Sequence, residues 1–154
     1  MPLEDEIFCL RLYMDLEKLR FEKPFQYNID LNEINASAVM IPTLIIQPFI
    51  ENAIWHGLHP KQNGIGEIKI NMHADNNILH CKICDNGVGI GNSNTNIQSD
   101  KKSLGVQLTQ QRLQLINDDE SESFKIKMEQ LKDDNGQIAG TCVFINIPFK
   151  TADI

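Results

Sequence analysis

Apolar residues recur at helical spacing near the start of the chain and at every second position soon afterwards. In LEDEIFCLRLYMDLEKLRF, Ile7, Leu10 and Met14 lie among charges, a pattern that predicts a helix beginning near residue 3 without an N-cap. The segment FQYNIDL then alternates apolar and polar residues, which is typical of a strand. Residues 32–39 are predicted to form a loop.

A second apolar set, between residues 41 and 58, predicts a helix that packs on a sheet. Its members are Leu44, Ile45, Phe49, Ala53, Ile54 and Leu58. Pro42 fits a first helical turn, and Pro48 either restarts the helix or kinks it. Gly57 and Pro60 are predicted to end it.

The rest of the chain predicts four strands, a polar loop and one more helix. EIKINMHA and ILHCKICD form strands joined by a hairpin turn over residues 75–77. Residues 91–102 are almost without apolar side chains and predict a mobile loop, and residues 104–116 predict a helix. FKIKMEQL and TCVFINIPF then read as strands on either side of a DDNGQ turn. This order of elements predicts one domain with helices layered on a sheet.

Composition narrows the class of protein. The chain has 154 residues, of which 42% are hydrophobic, and 14 basic against 21 acidic residues give a net charge of −7. This balance argues against a broad nucleic-acid or anionic-membrane surface. We find neither a signal peptide nor an apolar run of the roughly 18 residues that a spanning helix needs.

The four cysteines are predicted to be plain thiols. They are Cys9, Cys81, Cys84 and Cys142. An even number of cysteines can pair, but a chain of this length with an ample core does not need disulfides. CKIC lies on a predicted strand, where residues three apart point to opposite faces, so Cys81 and Cys84 are not expected to bind one metal.

The first candidate site segment is PFIENAIWHGL, which begins at Pro48. Glu51, Asn52 and His56 lie within about a turn and a half of predicted helix, with Asn52 and His56 four residues apart on one face. Carboxylate and amide oxygens are ligands of the kind that Mg²⁺ takes. The alternative is an ordinary polar stripe that faces solvent.

The second segment is DNGVGIG, which begins at Asp85. Asp85 ends an apolar strand, where its carboxylate can accept a hydrogen bond from an exocyclic amine such as that of adenine. Gly87, Gly89 and Gly91 allow the backbone to approach a ligand closely. The alternative is a simple hairpin turn, although a polar loop follows instead of a partner strand.

The third segment is SLGVQLTQQRL, which begins at Ser103. Gly105 leaves backbone N–H groups free to meet phosphate where the helix begins. Arg112, Lys101 and Lys102 are candidates for neutralising phosphate charge. The alternatives are that Ser103 is an N-cap and that the basic side chains are ordinary surface groups.

Taken together, these segments resemble the catalytic, ATP-binding domain of the LytS-type sensor histidine kinases, within the GHKL group of ATPases. ENAIWHGL resembles the N box, DNGVGIG the G1 box, SLGVQLTQQRL the G2 box, and GTCVFINIP the terminal glycine-threonine strand. RFEKPFQYNID, Pro42 and QPFIENA match the run that leads into the N box in this subgroup. The resemblance covers roughly residues 6–149.

The resemblance implies a fold and a domain organisation. The fold would be the GHKL (Bergerat) fold, an α/β two-layer sandwich whose mixed, mainly antiparallel sheet has helices on one face. Residues 1–22 would be an N-terminal helix left from the upstream kinase region and packed on the domain. Residues 23–150 would form the single ATP-binding domain, with residues 91–102 as the ATP lid and 151–154 as a tail.

The resemblance also implies residue roles toward ATP and Mg²⁺. Asn52 would coordinate the Mg²⁺ that bridges the phosphates, and Glu51 would act on metal-bound water or at the reacting centre. Asp85 would bind the adenine amino group, with Thr141 adding a hydrogen bond nearby. The other positions matched to the nucleotide site are His56, Gly87, Gly89, Gly91, Ser103, Leu104 and Gly105.

Two departures from the family pattern stand out. Ser103 replaces the first glycine of the G2 box, and Leu108 replaces a common asparagine. None of the four histidines lies in the Pro-His-Phe-Asn-like motif that carries the phosphoaccepting histidine. The chain therefore matches the nucleotide-binding part of a kinase, and little turnover is expected from it alone.

The function implied is phosphoryl transfer from Mg·ATP to a histidine on a separate dimerisation domain of the same protein, and from there to a response regulator. The full-length protein is expected to be a homodimer, with this part as the cytoplasmic domain of a membrane-anchored bacterial sensor. Two alternatives stay open. One is a GHKL ATPase in which Glu51 acts as general base for water, and the other is a non-catalytic interaction module with a decayed site.

Overall fold

The structure is a computed structural model that describes residues 1–62, 64–89 and 125–152. Helix α1 spans Leu3–Lys18, and α2 spans Gln47–Asn52 and continues directly into a π-helix over Ala53–Leu58. The strands are β1 (Gln26–Asp30), β2 (Val39–Met40), β3 (Glu67–Asp75), β4 (Ile78–Asp85), β5 (Lys125–Lys132), β6 (Ile138–Pro148) and β7 (Lys150–Thr151).

Five of the strands form one mixed sheet in the order β1-β3-β4-β6-β5. Strand β1 runs parallel to β3, whereas the other three pairings are antiparallel. Strands β2 and β7 pair separately as a small antiparallel ribbon. The predicted α/β architecture with a mainly antiparallel sheet is confirmed, although the short β2–β7 ribbon was not predicted.

The core lies between one face of the sheet and the helices. Alternate residues of β3 and β4 are buried, among them Ile68, Ile70, Met72 and Ile83, as the twofold strand period requires. They share a single hydrophobic cluster with residues from α1, α2 and the π-helix, namely Leu3, Ile7, Leu10, Met14, Phe49, Ile50, Ile54 and Leu58. None of the helices in the described ranges is long and apolar enough to cross a membrane.

The β3–β4 hairpin turn matches the sequence prediction, whereas the start of β6 does not. Asn76 and Asn77 have φ values of 50° and 61°, as the predicted tight β3–β4 turn requires. In contrast, β6 begins at Ile138, three residues before the predicted strand. Near this end, β6 pairs with the edge strand β5, and the register shifts between Leu131 and Lys132 of β5.

The second predicted helix begins later than predicted but ends at Leu58, within the predicted range. Pro42 is not in a helical turn, because α2 begins only at Gln47, with Pro48 in its first turn. Leu44 has a φ of 54°, and that left-handed backbone cannot be part of a right-handed helix. At the other end, the π-helix runs to Leu58, so Gly57 lies inside the helix and does not end it.

The prediction of four plain thiols is wrong for one pair. Cys84 and Cys142 form a disulfide, whereas Cys9 and Cys81 are free. The antiparallel β4–β6 register places Cys84 opposite Cys142, and their Cα atoms are 4.1 Å apart. Cys81 is buried in the core, and this burial, with a smaller contribution from the charge of Glu6, raises the pKa of its thiol to about 12.

The disulfide is expected to stabilise the β4–β6 pair measurably. It closes a loop with a sequence separation of 58 residues, for which loss of chain entropy in the unfolded state corresponds to about 4 kcal/mol. Under oxidising conditions, we expect Cys84→Ser to lower the free energy of unfolding by about 2–4 kcal/mol in urea titrations. Cys9→Ser is the control. If the parent unfolded at the same urea concentration with and without reductant, the prediction would be contradicted.

Candidate nucleotide-binding site

The site is organised by Asp85, the last residue of β4. Its side chain is 6% exposed, and Thr141, which is opposite it on β6, is equally buried. The Gly87 N–H donates to Asp85 Oδ1 at 2.9 Å. A carboxylate is thus held at a fixed place at the end of β4, as predicted for this residue.

The pKa of the Asp85 carboxyl is higher than that of an ordinary aspartate. Burial raises the pKa of its carboxyl from 3.8 to about 6, against the opposing effects of the backbone N–H groups of Gly87 and Thr141 and of the Lys61 ammonium. The carboxylate has lost more hydration than its protein partners replace. An external N–H donor placed against it would therefore be bound favourably.

Glycines allow the π-helix and the turn after β4 to come into direct contact. The Val88 N–H donates to the Gly57 carbonyl at 3.1 Å, and a methyl group at Gly87 would overlap the carbonyl group of Gly57. A methyl group at Gly57 would lie 2.7 Å from Asp85 Oδ1. Two glycines on separate elements are therefore needed for the helix to lie against the aspartate.

The Asn52 side chain presents a buried amide oxygen. Its Oδ1 atom accepts no hydrogen bond from any residue in the described ranges, although a buried acceptor without a partner is costly. The neighbouring carboxylate of Glu51 is half-buried and accepts a hydrogen bond from Gln47 Nε2 at 3.2 Å. An unpaired amide oxygen beside a carboxylate fits a hard cation such as Mg²⁺.

The described residues contain no group of three or more histidine, cysteine, aspartate or glutamate side chains that could hold a metal. Magnesium is usually held by only one or two protein oxygens, with phosphate and water completing its coordination shell. The donor set of Asn52 and Glu51 is of that kind.

The helix geometry at this point was not predicted. The backbone changes from α to π immediately after Asn52, and π-helical turns are uncommon and concentrate at functional sites. The sequence pattern contains no signal for the change, because both geometries bury a similar set of apolar residues.

Two residues that hold the turn after Asp85 were not predicted from the sequence. Asn86 accepts the Glu67 N–H at 2.7 Å through Oδ1 and donates to the Ile65 carbonyl at 3.0 Å through Nδ2. Lys61 Nζ donates to the Asn86 carbonyl at 3.0 Å. These bonds fix the turn after Asp85 to β3. The Asp-Asn-Gly sequence indicated only a turn, since the partners are far away along the chain.

The other predicted site residues fall into two groups. His56 is exposed on the π-helix, and Gly89 is buried with a φ of 83°, consistent with a glycine requirement there. The predicted lid over residues 91–102 lies outside the described residues, as does the whole G2 segment. The site positions affected are Gly91, Lys101, Lys102, Ser103, Leu104, Gly105 and Arg112.

The fold is shared with known histidine kinases. The catalytic domain of histidine kinase ThkA aligns over 99% of this chain and 97% of its own, with a TM-score of 0.63 and 14% identity. A structure of ThkA in complex with the response regulator protein TrrA aligns over 96% of this chain and 40% of that one, with a TM-score of 0.57 and 19% identity. The chain thus has the fold of a histidine kinase catalytic domain.

Sequence relatives narrow this class. The sensor protein LytS of Bacillus subtilis is 34% identical over 91 residues, which are 58% of this chain and 15% of that protein. The sensor protein kinase HptS of Staphylococcus aureus is 31% identical over 93 residues, 60% of this chain and 17% of that protein. No protein-family model matches the chain. The resemblance to the LytS-type sensor kinases is confirmed, although the chain corresponds to only a small part of their length.

Proposed function

We propose that the chain binds Mg·ATP and presents the γ-phosphate to a histidine on a separate domain, as part of a two-component sensor histidine kinase. The observation that carries the proposal is the presence of two buried polar groups on adjoining elements. Asp85 is a buried carboxylate with raised pKa, and Asn52 offers a buried oxygen that has no hydrogen-bond partner among the described residues. The first suits an adenine amine and the second a phosphate-bound cation.

In this proposal, some of the described residues bind adenine and others bind the metal. Asp85 accepts the adenine amino group, and Thr141 lies beside it on β6 as a second hydrogen-bonding group. Asn52 and Glu51 hold Mg²⁺, which neutralises phosphate charge when it is bound. Gly57 and Gly87 keep these two ends at a fixed separation. Catalysis then rests on positioning and charge neutralisation, because phosphoryl transfer asks little covalent chemistry of the protein.

The partners follow from the relatives and the neighbouring structures. LytS and HptS are named as sensor proteins, and ThkA is seen with a response regulator. We propose that this chain acts with a phosphoaccepting, dimerising domain of the same protein and passes phosphate to a response regulator. In this proposal, residues 91–102 are the ATP lid and the chain is the cytoplasmic part of a membrane-anchored homodimer.

Calorimetric titration with Mg·ATP tests the proposal directly. We expect the parent chain to bind Mg·ATP and Asn52→Ala to bind it about tenfold more weakly, because the cation loses a protein ligand. Binding of ATP in EDTA should change by less than twofold. Asn28→Ala, which removes an exposed amide on β1, is the control.

Two results would contradict this assignment. The absence of detectable binding to the parent at millimolar Mg·ATP would exclude the proposed function and favour an interaction module. Parental Mg²⁺ dependence in Asn52→Ala would leave nucleotide binding in place but show that this side chain is not the metal ligand.

A further inference from the structure

A buried glutamate on α1 connects that helix to the entrance of α2. Glu6 is fully buried. Its Oε2 accepts the Leu44 N–H at 3.0 Å, and its Oε1 accepts the Ile46 N–H at 3.0 Å. Both carboxylate oxygens therefore hold backbone groups about forty residues away along the chain.

These two bonds act where the local sequence gives the backbone little support. Leu44 has a left-handed φ of 54°, a conformation that costs about 1 kcal/mol or more for a residue with a branched side chain. Ile46 is the N-cap residue of α2 and has no side-chain capping bond. Glu6 accepts from α1 the N-cap N–H that the N3 glutamate of a capping box would otherwise accept.

The placement of a carboxylate here is costly for stability alone. Glu6 is buried on the helix that contributes Leu3, Ile7 and Leu10 to the hydrophobic core, and its charge contributes to the raised pKa of the Cys81 thiol. Burying a charged group is unfavourable unless its hydrogen bonds are fixed. A well-packed apolar residue would stabilise the core at least as well, so the carboxylate points to a requirement for holding the Leu44–Ile46 backbone.

We propose that Glu6 is a positioning residue for the phosphate end of the nucleotide site. It fixes the first turn of α2, and the same six-residue helix carries Glu51 and Asn52 at its other end. Farther along, the Arg20 guanidinium lies 5.8 Å from the centre of the Trp55 ring on the π-helix. The placement of α1 thereby sets the placement of the metal-binding side chains. This inference rests on the proposed function.

Glu6→Gln tests the inference with almost no change in volume. Glutamine keeps one acceptor oxygen and places an N–H₂ group against a backbone N–H, so one of the two bonds is lost. We expect the affinity for Mg·ATP, measured by calorimetry, to fall about tenfold. The affinity for ATP in EDTA should stay within twofold, because the adenine end is held by Asp85.

Glu17→Gln is the matched control. Glu17 is also buried on α1 at 7% exposure, but its ion pair is local, with Arg20 just beyond the end of that helix at 3.9 Å. We expect this variant to keep the parental ratio of affinities with and without Mg²⁺. If the role of Glu6 were merely structural, Glu6→Gln would have a lower melting temperature but the parental ratio of affinities with and without Mg²⁺.

The outcomes separate the two proposals. If the parent does not bind Mg·ATP, the proposed function fails. If the parent binds and folded Glu6→Gln keeps the parental ratio, only the positioning role is overturned. Should Glu6→Gln not fold by circular dichroism, Glu6→Asp takes its place. We then expect a smaller loss in the same direction, and a parental ratio overturns the inference.

Discussion

Replacing Asp85 by asparagine should abolish tight ATP binding and at the same time stabilise the free domain at neutral pH. Asparagine keeps the volume but turns an N–H₂ group toward the amine that a carboxylate would accept, and a lost charge-assisted bond costs about 1.5–3 kcal/mol. We expect a 10- to 100-fold loss of affinity in Mg·ATP titrations.

The gain in stability follows from the direction of the pKa shift. The folded-state pKa of Asp85 is about 6, above the usual 3.8, so the folded state binds the proton more tightly than the unfolded state does. The resulting stabilisation is fully present below pH 3.8 and is lost as pH rises to about 6 and above. The ionised parent therefore carries a cost of about 2–3 kcal/mol at pH 7.5. Asparagine avoids it, and we expect a net gain of about 1 kcal/mol after the loss of one backbone bond.

The pH dependence of binding provides a second readout for the same residue. Protonation removes the acceptor, so the affinity of the parent for ATP should fall progressively below pH 6 and stay level above pH 7. In Asp85→Asn this dependence should be absent. Asp75→Asn, at the exposed far end of the adjacent strand β3, is the control. A variant that binds ATP as the parent does, or is destabilised at pH 7.5, would contradict the role given to Asp85.

Local patterns were sufficient to predict most of this fold. The alternation of Ile68, Ile70 and Met72 with polar neighbours specified β3, and Asn76 with Asn77 specified its hairpin. Both signals act between residues close in sequence, where side-chain direction and backbone preference are determined locally. The position of Asp85 at the end of β4 followed from the same patterns.

Features that depend on distant partners were not predictable in the same way. The start of α2 depends on the carboxylate of Glu6, and the Cys84–Cys142 disulfide depends on the register of β4 with β6. Gly57 looked like a helix terminator because glycine commonly ends helices. Its actual requirement is the close approach of the Asp85–Gly87 turn, which no pattern within the helix reveals.

Gly87→Ala should disrupt the described part of the site strongly. The added carbon would overlap the backbone carbonyl of Gly57, and a helix backbone cannot move aside as a flexible side chain can. Overpacking of this kind typically costs 1–3 kcal/mol and occasionally more. We expect a loss of about 3 kcal/mol in urea titrations, corresponding to a melting temperature lower by roughly 6–12 °C.

Gly136→Ala distinguishes this steric effect from the loss of backbone freedom. Gly136 has a φ of 77°, but a methyl group there would meet nothing within 4 Å, so its cost is limited to the left-handed backbone, about 1 kcal/mol. Gly87→Ala should also lose ATP binding, because separating the turn from the π-helix moves Asp85 away from Gly57 and changes the distance between the adenine and metal ends. Equal destabilisation in both variants, or parental ATP affinity in Gly87→Ala, would show that the glycine contact does not set the geometry of the site.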